Sequence, residues 1–250
     1  MTVVLFITLI GVGIAGGICG SAVGIASLAS YPALLALGML PVTANITTTF
    51  ANIVSGISSV FASSKELHGH WSFVLKVWPL LLSGSIVGAL LLFAFPQSVF
   101  QRVVPFFILL AAVLMLVHRG ETTQREQHSS FVIFLSWAAI FFTGIYSGYF
   151  GAASGVIMLA LFNIITDEPY KIYNAEKNVA MTGANLTSLV VYFTQTKIVW
   201  SWIFPMAIGS IIGGYVGPMI VRHLPDRLVK IVVAIAAIIL AGTLAYQAYF

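Results

Sequence analysis

Charge is what this chain has least of. Among 250 residues only 11 are Lys or Arg and 7 are Asp or Glu, whereas globular domains carry about a quarter charged residues. So few charges cannot cover a water-facing surface of this size, and an ordinary soluble domain is excluded. The single cysteine, Cys19, rules out an intrachain disulfide and any multi-cysteine metal centre; its place among glycines suits packing. The bases stand singly between apolar runs, with no stripe to follow a phosphate backbone, which excludes a nucleic-acid partner. Also missing are a P-loop, an HExxH zinc motif and a GxSxG nucleophile elbow, so no enzyme, cofactor or metal reading has support. His68-Gly69-His70 lacks a third ligand nearby and adjoins Trp71, as interfacial loop histidines do.

What is present is hydrophobic: 60% of the residues. Several apolar runs exceed the ~18 residues expected of a membrane-spanning segment, so the chain is a polytopic membrane protein of all-α class. Val3–Met39 is an uncharged tract, and Ala44–Ser64, Trp71–Phe95 and Val103–His118 follow as spans. Arg119–Ser130 is the one long polar stretch and reads as a linker on the cytoplasmic side. The second half repeats the plan: the tract Phe131–Thr166, then spans Ala175–Thr196, Ile198–Val221 and Leu228–Phe250. Trp71, Trp78, Trp200 and Trp202 fall near span ends, as aromatic belts do. Met1–Leu9 has no Lys or Arg before its apolar run, so the first segment is expected to stay in the protein rather than act as a signal peptide.

Glycines mark the repeat. Gly13, Gly17, Gly20 and Gly24 recur as Gly144, Gly148, Gly151 and Gly155, 131 residues on. Ala44 and Ala175 match at the same offset, and Gly84/Gly88 match Gly209/Gly213 at a slightly shorter one. Residues 1–118 and 131–250 thus form two repeats joined by the linker 119–130.

Length and charge then fix the topology expected of each tract. As one straight helix, Val3–Met39 would be ~55 Å long against a ~30 Å hydrocarbon core, so it must break or fold back. If each tract crosses once, the bases divide five against six between the two sides. If each tract returns to its starting side, Lys65, Lys76, Arg119, Arg125, Lys171, Lys177, Arg222, Arg227 and Lys230 share one side. Only Arg102 and Lys197 remain opposite, a strong positive-inside bias. The expectation is therefore two inverted-topology repeats, each a broken or re-entrant helical tract plus three transmembrane helices. That makes eight membrane segments, or ten if each tract counts as two helices, with both termini on the outer side of the membrane.

Broken tracts of inverted repeats meet near the bilayer midplane and build transporter sites. Helix N-termini at such breaks present N–H groups and a positive dipole end, which suit an anion. The candidate site is Gly20, Ser21 and Gly24 with Gly151, Ser154 and Gly155, the serines serving as hydroxyl donors. Close helix packing through small residues is the competing reading for any single glycine. The next spans add polar side chains. Asn45, Thr48, Thr49 and Asn52 approximate one helical stripe, and Asn178 and Asn185 lie seven apart in the matching region. Thr47, Thr48, Asn52, Asn178 and Asn185 complete the candidate set. Glu176 and Lys177 sit near the cytoplasmic end, where an interfacial anchor or surface ion pair competes with a functional role. With every carboxylate near a span end or in a loop, the site favours a small anion over a cation and disfavours a proton relay.

These residues resemble the TauE/SafE family of sulfite and organosulfonate permeases. Its pattern of a glycine-rich first helix, Pro, Gly-x-x-Pro and Ala-x-x-Thr-Ser is met by Gly17–Gly24, Pro32, Gly38-Met39-Leu40-Pro41 and Ala44-Asn45-Ile46-Thr47-Thr48. Gly144–Gly155 and Ala175–Asn178 fit the second copy. The usual tandem glycines are reduced here to Gly20-Ser21, and Asn178 replaces a common second-copy Thr. The resemblance implies an inner-membrane permease for sulfite, a sulfonate or a similar small anion. A secondary transporter working by alternating access is the leading expectation, with a proton or sodium ion as coupling partner; assembly into a homo-oligomer is left open. A passive anion channel of the same architecture, or a non-transporting membrane assembly subunit, is the alternative.

Overall fold

The computed structural model describes residues 2–96 and 130–221, with single positions at 98, 99, 102, 105, 106, 109, 235, 238, 239, 241, 242, 245, 246 and 249. The expected spans Val103–His118 and Leu228–Phe250 and the linker preceding Ser130 lie outside the described residues, those single positions apart. Every element formed is helical: α1 Val3–Val23, α2 Ala26–Ala36, α3 Pro41–Ala62, α4 Ser64–Leu67, α5 Trp71–Ala94, α6 Ser130–Tyr149, α7 Ser154–Ile165, α8 Tyr170–Gln195 and α9 Trp200–Val221. No strand occurs among the described residues.

Local chemistry sets the boundaries. Thr2 caps α1, its hydroxyl accepting from the Leu5 N–H at 3.3 Å. Pro41 occupies the first turn of α3 after an extended Leu40, where its missing N–H and fixed φ cost nothing. The helix therefore starts at Pro41, three residues before the expected Ala44. Extended Pro169 does the same ahead of α8, which starts five residues before the expected Ala175. The short helix α4 takes up the first half of what the sequence suggested was a loop at Lys65–His70.

Each long tract is broken into one long and one short helix. Helices α1, α5, α6 and α9 are long and apolar enough to cross a membrane. Helices α3 and α8, with 22 and 26 residues, have the length but carry the polar stripes. The short halves α2 and α7, 11 and 12 residues long, rise only ~17–18 Å, well short of the ~30 Å core. Large apolar side chains such as Val3, Phe61, Phe134, Phe142 and Phe204 point outward and exposed, as lipid contact requires.

Helix α1 runs along α9 and α5 along α6; α3 packs on α9, α8 on α5, and α3 and α8 pack on each other. Both long pairings rest on glycine. A Cβ on Gly84 would lie on the Phe141 carbonyl and the Ile145 nitrogen, and one on Gly209 would lie on the Ile10 carbonyl and the Ile14 nitrogen. Gly88 faces the Ile145 carbonyl as Gly213 faces that of Ile14. From the other side, Gly13 sits on Met206 and Ser210 while Gly144 sits on Leu81 and Gly84. The first two glycines of each series thus serve helix packing, the competing reading for these positions, because only a missing side chain lets backbones approach this closely.

Trp78 departs from the expected aromatic belt. It is partly buried in the core beside α8, its indole nitrogen against Gly183, while Trp71 and Trp200 are exposed as expected.

Candidate functional site

The last two glycines of each series stand at the breaks. Helix α1 ends in a left-handed glycine cap: Gly24 is left-handed (φ 81°), its N–H donates to the Gly20 carbonyl at 2.9 Å, and the Ile25 N–H donates to the Cys19 carbonyl at 3.3 Å. Glycine carries no Cβ penalty in that conformation. Helix α6 ends at left-handed Gly151 (φ 70°), whose N–H donates to the Tyr146 carbonyl at 2.9 Å. Ala153 is also left-handed (φ 57°), a conformation that costs a non-glycine residue ~1–2 kcal/mol. The Tyr146 hydroxyl holds this turn by donating to the Ala152 carbonyl at 2.5 Å. The two breaks fall one turn apart in the 131-residue register, at Gly24 in one half and at Phe150–Ala153 in the other.

The breaks touch. A Cβ on Gly24 would lie 2.7 Å from the Gly155 Cα, and Gly155 in turn faces the Gly24 carbonyl. Around this contact opens a cavity with about 560 Å³ of empty space, the part open to solvent included. Gly20, Ser21, Gly24, Asn52, Gly151, Ser154, Gly155, Asn178 and Asn185 all line it, so most of the expected set is brought together. Thr47 and Thr48 are buried elsewhere on α3 and do not line it. Thr49, Ser27, Ser55, Thr182 and Lys177 join the lining without having been in the expected set.

The serines differ from the expected hydroxyl donors. Ser21 Oγ donates to the Gly17 carbonyl at 2.7 Å and Ser154 Oγ to the Gly151 carbonyl at 2.9 Å. Both protons are committed to backbone of their own segment, the back-bonding habit of serine in helices. The amide groups are placed otherwise. Asn52 Nδ2 reaches Ser27 Oγ at 3.4 Å, which sets the start of α2 against the middle of α3. Asn178 Nδ2 donates to Ser59 Oγ at 2.7 Å and to the Ser21 carbonyl at 3.0 Å.

Helix α8 also caps the end of α1. A helix C-terminus leaves its last carbonyls without intrahelical partners. Here Lys177 Nζ donates to the Gly20 carbonyl at 3.0 Å, Asn174 Nδ2 to that of Ser21 at 3.1 Å, and the Tyr170 hydroxyl to that of Ala22 at 2.9 Å. Helix α3 does the corresponding work at the end of α6, with Asn45 Nδ2 donating to the Tyr149 carbonyl at 3.2 Å. The Tyr192 hydroxyl donates to the Gly148 carbonyl at 2.5 Å.

Lys177 and Glu176 overturn the reading of a surface ion pair or interfacial anchor, because each is only 1% exposed. They are neighbours about 100° apart on one helix, so Lys177 faces the cavity while Glu176 faces His70. The early start of α8 is the cause: Lys177 is two turns into a helix rather than at the mouth of a span. Among the described residues no carboxylate lies within ion-pair distance of Lys177. The cavity lining therefore holds a buried lysine, amides, hydroxyls and glycines, and no acidic side chain.

The described residues contain no cluster of three or more His, Cys, Asp or Glu that would hold a metal ion. Cys19 is half-buried and packs beside Ala22 and Val23.

A helical membrane protein with this cavity is matched by the sulfite exporter TauE/SafE family over residues 9–244, and the chain belongs to that family. It is 27% identical over 240 residues to a probable membrane transporter protein of Haemophilus influenzae, covering 94% of this chain and 92% of the relative. It is 22% identical over 242 residues to the probable membrane transporter protein YfcA of Escherichia coli, covering 93% and 87%. No solved structure matches the chain. The protein is thus a membrane transporter of the TauE/SafE family.

Proposed function

We propose that this transporter moves a small anion, sulfite or an organosulfonate, by alternating access, and binds it in the cavity between the two breaks. The observation that carries the reading is Lys177: a buried lysine in a cavity whose lining holds no carboxylate. A buried charge without a counter-ion is costly, and a sulfonate or sulfite oxygen supplies one. Asn52 and Asn185 offer amide donors around it, together with the first-turn N–H groups of α2 and α7, whereas the hydroxyls of Thr49, Ser55 and Thr182 donate to the carbonyls of Asn45, Gly17 and Asn178. Thr47 and Thr48 have no place in this site.

Two inverted repeats, 1–118 and 131–250, account for the paired glycine contacts. The set Gly84, Phe141 and Ile145 corresponds to Gly209, Ile10 and Ile14, and Gly24 meets its own counterpart Gly155. The distribution of bases supports an inner-membrane protein with both termini outside. Alternating access then rocks one repeat-derived bundle against the other around the cavity.

The test is a binding screen of the purified protein against sulfite, sulfate, thiosulfate, taurine and sulfoacetate, read as a shift in melting temperature. A shift with at least one sulfur oxyanion or sulfonate, lost in Lys177→Met, is expected. No shift with any of the five contradicts the assignment.

A further inference from the structure

Glu176 is the most deeply buried carboxylate among the described residues, 1% exposed, and the anion cavity does not use it. Its Oε1 lies 3.7 Å from His70 Nδ1, and its Oε2 has no hydrogen-bond partner among the described residues. His70 Nδ1 also lies 3.7 Å from Glu168 Oε1, and the side chains of His70 and Glu168 are 26% and 38% exposed. A buried carboxylate therefore has one oxygen toward a half-exposed imidazole and the other toward nothing. A buried, unsatisfied oxygen costs free energy, and a proton is the smallest ligand that changes its state.

We propose that Glu176 binds the proton that is co-transported with the anion; this rests on the transport reading above. The carboxylate takes up one proton to become the carboxylic acid, from water reached through His70 and Glu168, and returns it on the opposite side of the cycle. The linkage runs through Lys177, its neighbour on α8. Lys177 and Glu176 are consecutive residues on α8, close enough to feel each other's charge although they face different sides and form no ion pair. An anion docked on Lys177 adds negative charge near Glu176 and favours the protonated acid, so anion and proton bind together, each strengthening the other by the same factor. One anion and one proton leave the net charge of the loaded protein unchanged.

The other charged or titratable groups at this end are Lys65 and Glu66 on α4, His68 in the loop after it and Lys76 on α5. Asp167 precedes α8 and Lys171 lies on it. Glu168 and His70 are the two in charge contact with Glu176.

The full-length protein in proteoliposomes tests this with labelled isethionate, whose sulfonate stays ionised throughout, and with labelled sulfite. Two quantities are read: anion exchange at equal pH, and accumulation driven by an imposed pH gradient. The wild type should show both. Glu176→Gln should keep exchange and lose gradient-driven accumulation roughly ten-fold or more, the range of a typical coupling free energy. No exchange of either anion by the wild type contradicts the transport reading and the proton site with it. Exchange without pH-driven accumulation, accumulation that follows a sodium gradient instead, or full accumulation by Glu176→Gln contradicts the proton site alone. Should Glu176→Gln fail to insert, the wild type in weakly buffered detergent still decides. Adding isethionate or sulfite should take up about one proton per bound anion beyond that taken by the free anion, and no uptake overturns the proposal.

Discussion

Lys177 Nζ donates to the Gly20 carbonyl at 3.0 Å and so ties the cation of the cavity to the last turn of α1. That carbonyl belongs to the negative end of a helix dipole, which favours a cation there. On the proposed reading, an anion in the cavity would compete with that carbonyl for the ammonium group and so would loosen the contact between α8 and the first break.

Replacing Lys177 separates charge from geometry. Lys177→Met removes the cation and should weaken anion binding by roughly 10–100-fold, the worth of a charge-assisted hydrogen bond. Lys177→Arg keeps the charge but enlarges the group and should fall between methionine and wild type. Titration calorimetry with the best anion from the screen measures both; equal affinity in wild type and Lys177→Met would remove Lys177 from the site.

The glycines should grade by what surrounds them. Gly11 lies in α1 with nothing within 4 Å of an added Cβ, so Gly11→Ala should stabilise by up to ~1 kcal/mol through helix propensity. Gly38 is left-handed (φ 90°) but also open, so Gly38→Ala should cost about 1–2 kcal/mol from backbone strain alone. Gly24 combines a left-handed backbone with the collision against Gly155 and should cost the most. Melting temperatures of the three variants in one detergent check the order, and Gly24→Ala melting like wild type would refute the tight contact between the breaks.

Much of this was legible in the chain. The repeated glycines marked both breaks, and Asn52, Asn178 and Asn185 of the expected set line the cavity. Thr47 was misplaced because the 131-residue offset of the glycines does not hold for the polar helices. Helices α3 and α8 start at Pro41 and Tyr170, an offset of 170 − 41 = 129, and at that offset the partner of Asn178 is Thr49, which does line the cavity. Lys177 was missed for a related reason: the turn signal at Pro169, which carries α8 five residues further back, outweighs the polarity of Tyr170–Asn174. Spacing cannot show that Ser21 and Ser154 spend their protons on backbone carbonyls, because that depends on rotamers.

That correction is itself testable. Asn185→Leu removes an amide from the cavity and should lower anion flux several-fold, while Thr47→Val, buried away from it, should leave flux within about two-fold of wild type and act only on stability. Flux assays at matched protein incorporation distinguish them. Loss of flux in Thr47→Val with Asn185→Leu unaffected would put the cavity in the wrong place.

The central claim is that the cavity between the breaks carries an anion across the membrane by alternating access. Uptake of labelled sulfite and isethionate into proteoliposomes of the wild-type protein, followed against external anion concentration, tests it most directly. Saturable uptake is expected, stimulated by unlabelled anion on the opposite side and shifted to roughly 10–100-fold higher anion concentration in Lys177→Met. No uptake of either anion, or uptake that rises without saturation as through an open pore, would contradict it.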